Sequence, residues 1–156
     1  MSSISVLITE RRKQVRSICR NLLEPERGIR IVGEARSGIE AVSAVARFKP
    51  NVVLLDAALP NGSSASLIPI IRRKSPRTRV LLLTDRAPAA RTLDTLSHGA
   101  RGYLEKTALP AYLPRAVRVV NGGEAWVPRK MVARIMDRLV RMTSEAPARR
   151  MARSKA

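Results

Sequence analysis

A doubly wound α/β fold on a five-stranded parallel sheet is predicted by three observations. Short aliphatic runs recur along the chain, amphipathic helical patterns separate them, and turns bearing proline or glycine mark the junctions. The runs are Ile4–Ile8, Ile29–Val32, Val52–Leu55, Val80–Leu83 and a weaker Gly102–Leu104. Each is near strand length and almost unbroken by polar residues, as strands covered on both faces should be.

The first helix is predicted from Val15, Ile18, Cys19 and Leu22, which repeat at i, i+3, i+4 and i+7; Ile39, Val42, Val45 and Ala46 nearly repeat that stripe in the second. Lys49-Pro50-Asn51 then opens the third strand, and Leu59-Pro60-Asn61-Gly62 closes it. The third helix carries Pro69 and the fifth Pro114, so each is expected to start late or to bend. Ser75-Pro76 introduces the fourth strand, Ala89, Leu93 and Leu96 mark the fourth helix, and His98-Gly99 precedes the fifth strand. Asn121-Gly122-Gly123 ends the fifth helix. One more amphipathic helix follows Pro128, with Val132, Ile135, Met136, Leu139 and Met142 on one face. The expected organisation is a domain over 1–124, a linker and amphipathic helix over 125–142, and an unstructured basic tail over 143–156, which shows no periodicity.

Aromatic residues supply only 3% of the 156 residues against 45% hydrophobic content, so Val, Leu, Ile and Ala must build the core. No signal-peptide core follows Met1 and no apolar stretch approaches the roughly 18–20 residues of a membrane span, which predicts a cytoplasmic protein without a membrane partner. A lone Cys19 excludes an internal disulfide and a zinc site, and its position on the first helix's apolar face makes it core. The formal charge of +18 favours polyanions, and residues 128–156 alone carry +7. Arg72, Arg73 and Lys74, with Arg77 and Arg79, read either as a phosphate-binding patch or as a solvated helix end. His98 reads as a helix-terminus cation, and Trp126 as a cap of the fifth helix against the linker. A Walker loop, a dinucleotide fingerprint and a Ser-His-Asp set are all missing, which removes the common nucleotide-binding and hydrolase classes.

Ligands of such a sheet gather beyond the carboxyl ends of its strands. Glu10, Asp56, Thr84 and Lys106 each close a different aliphatic run, so the fold should bring them together. A carboxylate, a hydroxyl and an ammonium converging there suit a phosphoryl group.

With these residues the sequence resembles the receiver domains of two-component response regulators over roughly 4–124. "VVLLDAALPNG" is similar to their phosphoacceptor strand and loop, and "LLLT" and "GARGYLEK" to the switch threonine and the aromatic-to-lysine segment. "IVGEARSGIEAV" and "NGGEAWVP" resemble the NarL/FixJ (LuxR-type) branch of DNA-binding transcription regulators. The resemblance implies a CheY-like receiver, a switch rather than an enzyme. Asp56 would accept phosphate from a histidine kinase, Thr84 and Lys106 would bind it, and Tyr103 would change rotamer on activation.

Departures from the family pattern matter as much. Two adjacent acids normally follow the first strand and hold Mg²⁺ with the phosphoacceptor and a backbone carbonyl, here Glu10, Asp56 and Ala58; but the second acid is Arg11. A guanidinium removes one ligand and brings a cation to the metal's seat, so no cofactor is expected and Mg²⁺ binding should be weak or absent. Arg11 has three readings: a surrogate for the metal, a permanent lock on Asp56, or a solvated side chain. Ser64, Asp85 and Arg86 are further departures.

Three functions compete. One is a regulatory receiver, one a small phosphotransfer enzyme of another doubly wound family, and one a stand-alone dimerisation or polyanion-binding protein. The enzyme would need a second carboxylate as general acid and a Mg²⁺ site, and both are poorly provided here. Only 14 residues follow Met142, fewer than a DNA-reading helix pair needs, so DNA is expected to be reached only through an effector domain absent from these residues. The apolar stripe of the last helix predicts a homodimer.

Overall fold

The computed structural model describes residues 3–60, 63–86 and 88–154, with side chains described as far as Ser144. Strands β1 (Ile4–Thr9), β2 (Ile29–Ala35), β3 (Val52–Asp56), β4 (Arg79–Thr84) and β5 (Gly102–Glu105) form one sheet in the order β2-β1-β3-β4-β5. Every pairing is parallel, so all carboxyl ends lie along one edge. This is the doubly wound arrangement that the alternating runs predict, and the CheY-like one that the resemblance implies. Helices α1 (Lys13–Leu23), α2 (Gly38–Phe48), α3 (Ser64–Lys74), α4 (Ala89–Leu96) and α5 (Leu109–Asn121) make the crossovers, with a 3₁₀ turn over Lys106–Ala108 before α5.

Alternation along the strands sends Val6, Ile8, Leu54, Leu81 and Leu83 to one face, where Cys19 and Leu23 of α1 and Leu113, Val117 and Val120 of α5 complete a core. Leu7, Val53, Leu55 and Leu82 have the opposite parity and are equally buried, as are Ala41, Val45, Ile68 and Ile71 of α2 and α3. Each such Leu or Ile contributes about 1.5–3 kcal/mol on leaving water. Burial pushes the Cys19 thiol up to about 12, so it is packing, as its position on α1 predicts.

Several sequence expectations need correction. Ile18 is 42% and Ile39 71% exposed, and α2 packs instead through Gly38, Ala41 and Val45. Val45 is common to both stripes, and Gly38 and Ala41, rather than Ile39 and Val42, complete the buried face. Neither α3 nor α5 starts late, since Pro69 and Pro114 each stand at the sixth helical residue. Packing on β3, β4 and β5 holds α5, and packing on α2 and α4 holds α3, despite the lost backbone bond.

The first compact unit runs to Trp126, slightly past the expected boundary. Trp126 extends the sheet beside β5: its N–H donates to the Arg101 carbonyl and its own carbonyl accepts from the Tyr103 N–H, both at 3.0 Å. That contact covers an edge strand and requires Gly102, where any Cβ would collide with the Trp126 carbonyl. The Trp126 ring lies tilted on Tyr112, 5.9 Å between centroids.

The second unit, Val127–Ala156, contains α6 (Arg129–Ser154). The helix runs on through the segment expected to be unstructured; residues 155 and 156 lie outside the described ones. Ala and Arg are the commonest residues there and are strong helix formers, so a helix needs no apolar periodicity to form.

Candidate functional site

At the carboxyl edge β1, β3 and β4 deliver Glu10, Asp56 and Thr84, and the turn after β5 delivers Lys106. Register enforces the meeting: Thr9 pairs with Leu55 and Asp56 with Leu83. Glu10 and Asp56 are both fully buried, and the Lys106 side chain is 8% exposed.

Asp56 is saturated with donors. Its Oδ1 accepts from Lys106 Nζ at 2.9 Å, from the Ala58 N–H at 3.0 Å and from Arg11 Nη1 at 3.0 Å; its Oδ2 accepts from the same Nη1 at 2.9 Å and from the Arg11 N–H at 3.2 Å. A carboxylate offers about four lone-pair sites, so these contacts fill it. Burial alone would push Asp56 up, but the Ala58 N–H, Lys106 and the Arg11 N–H outweigh it and hold the group below its ordinary range. Asp56 is therefore a fully paired anion.

Glu10 shifts the other way. Burial, with help from Asp56, pushes it up against the opposing Lys106 and Arg12 N–H contacts. Its Oε1 accepts from the Arg12 N–H at 3.1 Å and from Lys106 at 3.3 Å. Its Oε2 lies 3.0 Å from Lys106 Nζ, yet the direction does not make a hydrogen bond, and this buried oxygen has no hydrogen-bond donor. The contact is coulombic.

Arg11 does not point to solvent. Only 25% of its side chain is exposed, and its Nη2 reaches Asp85 Oδ2 at 3.4 Å. Desolvation works against its charge, but Asp56 and then Asp85 more than offset this and raise its pKa. Asp85, a departure noted in the sequence, is thus a shared partner, also 3.6 Å from Arg12 and 3.5 Å from Lys106. Ser64, another departure, donates to the Asp56 carbonyl at 2.8 Å. Sequence reasoning missed Arg16, whose Nη1 donates to the Glu10 carbonyl at 2.9 Å and the Arg11 carbonyl at 3.2 Å. An arginine one turn into a helix carries no signal that it reaches back to the preceding loop.

Thr84 is buried at the end of β4, but its hydroxyl makes no hydrogen bond to Asp56 among the described residues. Tyr103 is 6% exposed, so its ring is packed inward, and burial, with Glu105 assisting, raises its pKa.

Residues 6–118 match the family model of the response regulator receiver domain. The chain belongs to that family. Among curated relatives, the oxygen regulatory protein NreC of Staphylococcus aureus is 28% identical over 146 residues, covering 93% of this chain and 67% of NreC. A LuxR-family two-component response regulator from Aurantimonas sp. SI85-9A1 superposes with a TM-score of 0.77 at 26% identity, covering 89% of this chain and 99% of that one. The NarL signal receiver domain of Mycobacterium tuberculosis gives 0.75 at 26% identity, covering 80% and 100%. The chain is a receiver of the NarL/FixJ branch, a class that serves two-component signal transduction. Among the described residues no helix is long and apolar enough to cross a membrane.

Receivers typically bind Mg²⁺ beside the phosphoacceptor. The residues of this receiver do not fit that ion: Arg11 Nη1 covers both Asp56 oxygens at 2.9–3.0 Å, on the carboxylate that would have to coordinate it. Among the described residues Glu10 Oε2 is the one buried carboxylate oxygen without a donor, and no three acidic, His or Cys side chains group to hold a metal. Mg²⁺ usually takes one or two carboxylates and keeps several waters, so a guanidinium already on the acceptor carboxylate competes for the ligand the ion needs most.

Proposed function

We propose that this receiver is an atypical regulatory module of a NarL/LuxR-type transcription regulator, in which phosphoryl transfer to Asp56 is impaired and Mg²⁺ binding is weak. One observation carries the reading: a single guanidinium nitrogen sits 2.9–3.0 Å from both oxygens of the acceptor carboxylate. An incoming phosphoryl group must displace that contact and then meets one guanidinium and Lys106 in place of a divalent ion. Charge developing on the transferred group is stabilised less well by such a pair, so acceptance is slow. Thr84 and Lys106 would hold the product, and Tyr103 would report the switch. The module performs no substrate turnover. A histidine kinase is the natural phosphodonor for a receiver of this class, and DNA is reached through an effector unit outside the receiver.

The saturation of Asp56 favours a second reading, a pseudo-receiver in which Arg11 stands permanently for the charged state and phosphorylation plays no part. Intact-mass measurement after incubation with acetyl phosphate, with and without Mg²⁺, separates the two. Slow labelling that Asp56→Asn abolishes supports the first, no labelling by small donors or a kinase supports the second, and rapid Mg²⁺-dependent labelling overturns both.

The assembly we propose is a homodimer through α6. Val132, Met136 and Leu139 recur at i, i+4 and i+7 and are 44–57% exposed, a spacing that suits a helix pair. Arg134, Arg138 and Arg141 bring like charges near that seam, a modest cost that salt screens.

A further inference from the structure

The amino edge of the sheet, opposite Asp56, holds a second concentration of charge. A cavity of about 630 Å³ opens there, lined by Asn51, Pro76, Thr78, Gly99 and Ala100 together with Arg72, Arg77, Arg79 and Arg101. Separate elements supply these arginines: the last turn of α3, the turn before β4, the first residue of β4 and the residue before β5. The parallel register brings them together, with Arg79 beside Val52 and the Arg101 N–H bonded to the Val80 carbonyl at 2.8 Å. No acid lines the cavity, and among the described residues none of the four arginines is ion-paired. Among the described residues the Arg79 side chain makes one hydrogen bond, from Nη1 to the Asn121 carbonyl at 3.1 Å, and keeps its other guanidinium donors.

A solvated helix end explains part of this charge. Arg72, Arg73 and Lys74 sit in the last turn of α3, where cations favour the helix dipole. That account does not reach Arg77, Arg79 or Arg101, which lie outside α3. Nor does it explain Gly99, at φ +118°, where a Cβ would come within 2.7 Å of Arg72 Nη1, so glycine lets the Arg72 guanidinium lie across the cavity wall. Asn51 uses its Oδ1 to accept from the Ser5 N–H at 2.8 Å and the Ser5 hydroxyl at 2.9 Å, which leaves its amide N–H groups to donate.

We infer that this cavity is a binding site for a small polyanion carrying two or more linked phosphate groups. Planar forked donors converging without a carboxylate match phosphate oxygens bidentately. The volume lies within the usual span of ligand sites, about 300–1,000 Å³, and exceeds what one phosphate fills. No aromatic ring lines it, so there is no platform on which a base could stack, and recognition rests on the phosphates. Nucleic acid backbone is the competing ligand, but a concave cluster at one sheet edge suits a compact anion better than an extended one. The inference is independent of what happens at Asp56.

The test is NMR titration of the full chain with pyrophosphate, orthophosphate and a short single-stranded DNA at 150 mM salt. Pyrophosphate should shift the amides of Arg77, Thr78 and Gly99 through Arg101, and bind at least ten-fold tighter than orthophosphate. Arg77→Ser with Arg101→Ser, both at exposed positions, should weaken it ten-fold or more, whereas Arg73→Ser with Lys74→Ser, outside the cavity, should change it less than two-fold. Equal losses in the two variants, equal affinity for both phosphates, shifts spread over the basic surface or confined to α6, or tighter DNA binding at the same amides would each overturn the assignment.

Discussion

Replacing Arg11 removes a cation from a fully buried carboxylate, and the structure sets the size of the effect. In Arg11→Ala, Asp56 loses both contacts to Nη1 but keeps Lys106, the Ala58 N–H and the backbone N–H of residue 11. A hydrogen bond to a charged group is worth about 1.5–3 kcal/mol, and cutting one side of a deeply buried pair costs about 3–5 kcal/mol. Arg11 is 25% exposed and Asp56 retains other donors, so the lower range applies and the net loss should be about 1–2 kcal/mol. For a chain of this size that lowers Tm by about 2–8 °C. Arg11→Asp instead adds a fourth carboxylate to Glu10, Asp56 and Asp85 around Lys106, which should destabilise the metal-free protein further and restore an oxygen ligand. Mg²⁺ at about one hundred times its Kd would then return about 2.7 kcal/mol. Thermal unfolding of both proteins with and without 10 mM Mg²⁺, about that excess for a ~0.1 mM site, is the assay. The reasoning fails if the native protein gains as much from Mg²⁺ as Arg11→Asp, or if Arg11→Asp gains nothing.

Three further outcomes are expected. Glu10 has its folded-state pKa raised above 4.5, so below 4.5 it contributes nothing and, as pH rises towards the folded value, its ionisation increasingly disfavours the fold; Asp56 is lowered from 3.8, so its contribution is present above 3.8 and lost as pH falls through the folded value. Glu10→Gln should accordingly remove the loss of stability on rising through the window above 4.5 while leaving the acid limb below 3.8, a separation that urea melts across pH can read. Gly102→Val should cost about 1–3 kcal/mol and shift Trp126 fluorescence to the red, because the added Cβ collides with the Trp126 carbonyl, while Gly122→Ala, whose nearest neighbour is at 3.4 Å, should change neither. Met136→Ser with Leu139→Ser, at positions more than half exposed, should halve the sedimenting mass at tens of micromolar without lowering Tm; an unchanged mass would remove α6 as the dimer seam.

The five strands, their order along the chain and the candidate set Glu10, Arg11, Asp56 and Lys106 were legible in the residues, because a strand covered on both faces leaves an unbroken aliphatic run and a polar residue ending such a run has one place to go. The substitution at Arg11 was equally visible, and so was the charge conflict it implies. Which of its three readings holds was not. That depended on rotamer and burial: Nη1 on both Asp56 oxygens, and Asp85 positioned to take the remaining donors. Arg16 on the loop carbonyls, Ser64 on the Asp56 carbonyl and the meeting of Trp126 with Gly102 came only from tertiary structure, as did the gathering of Arg72, Arg77, Arg79 and Arg101 at the amino edge. Periodicity records which side of an element meets apolar neighbours, and so determines elements and layers. It carries no information on the direction of a long cationic side chain, whose partner is chosen by geometry between elements that the sequence holds far apart.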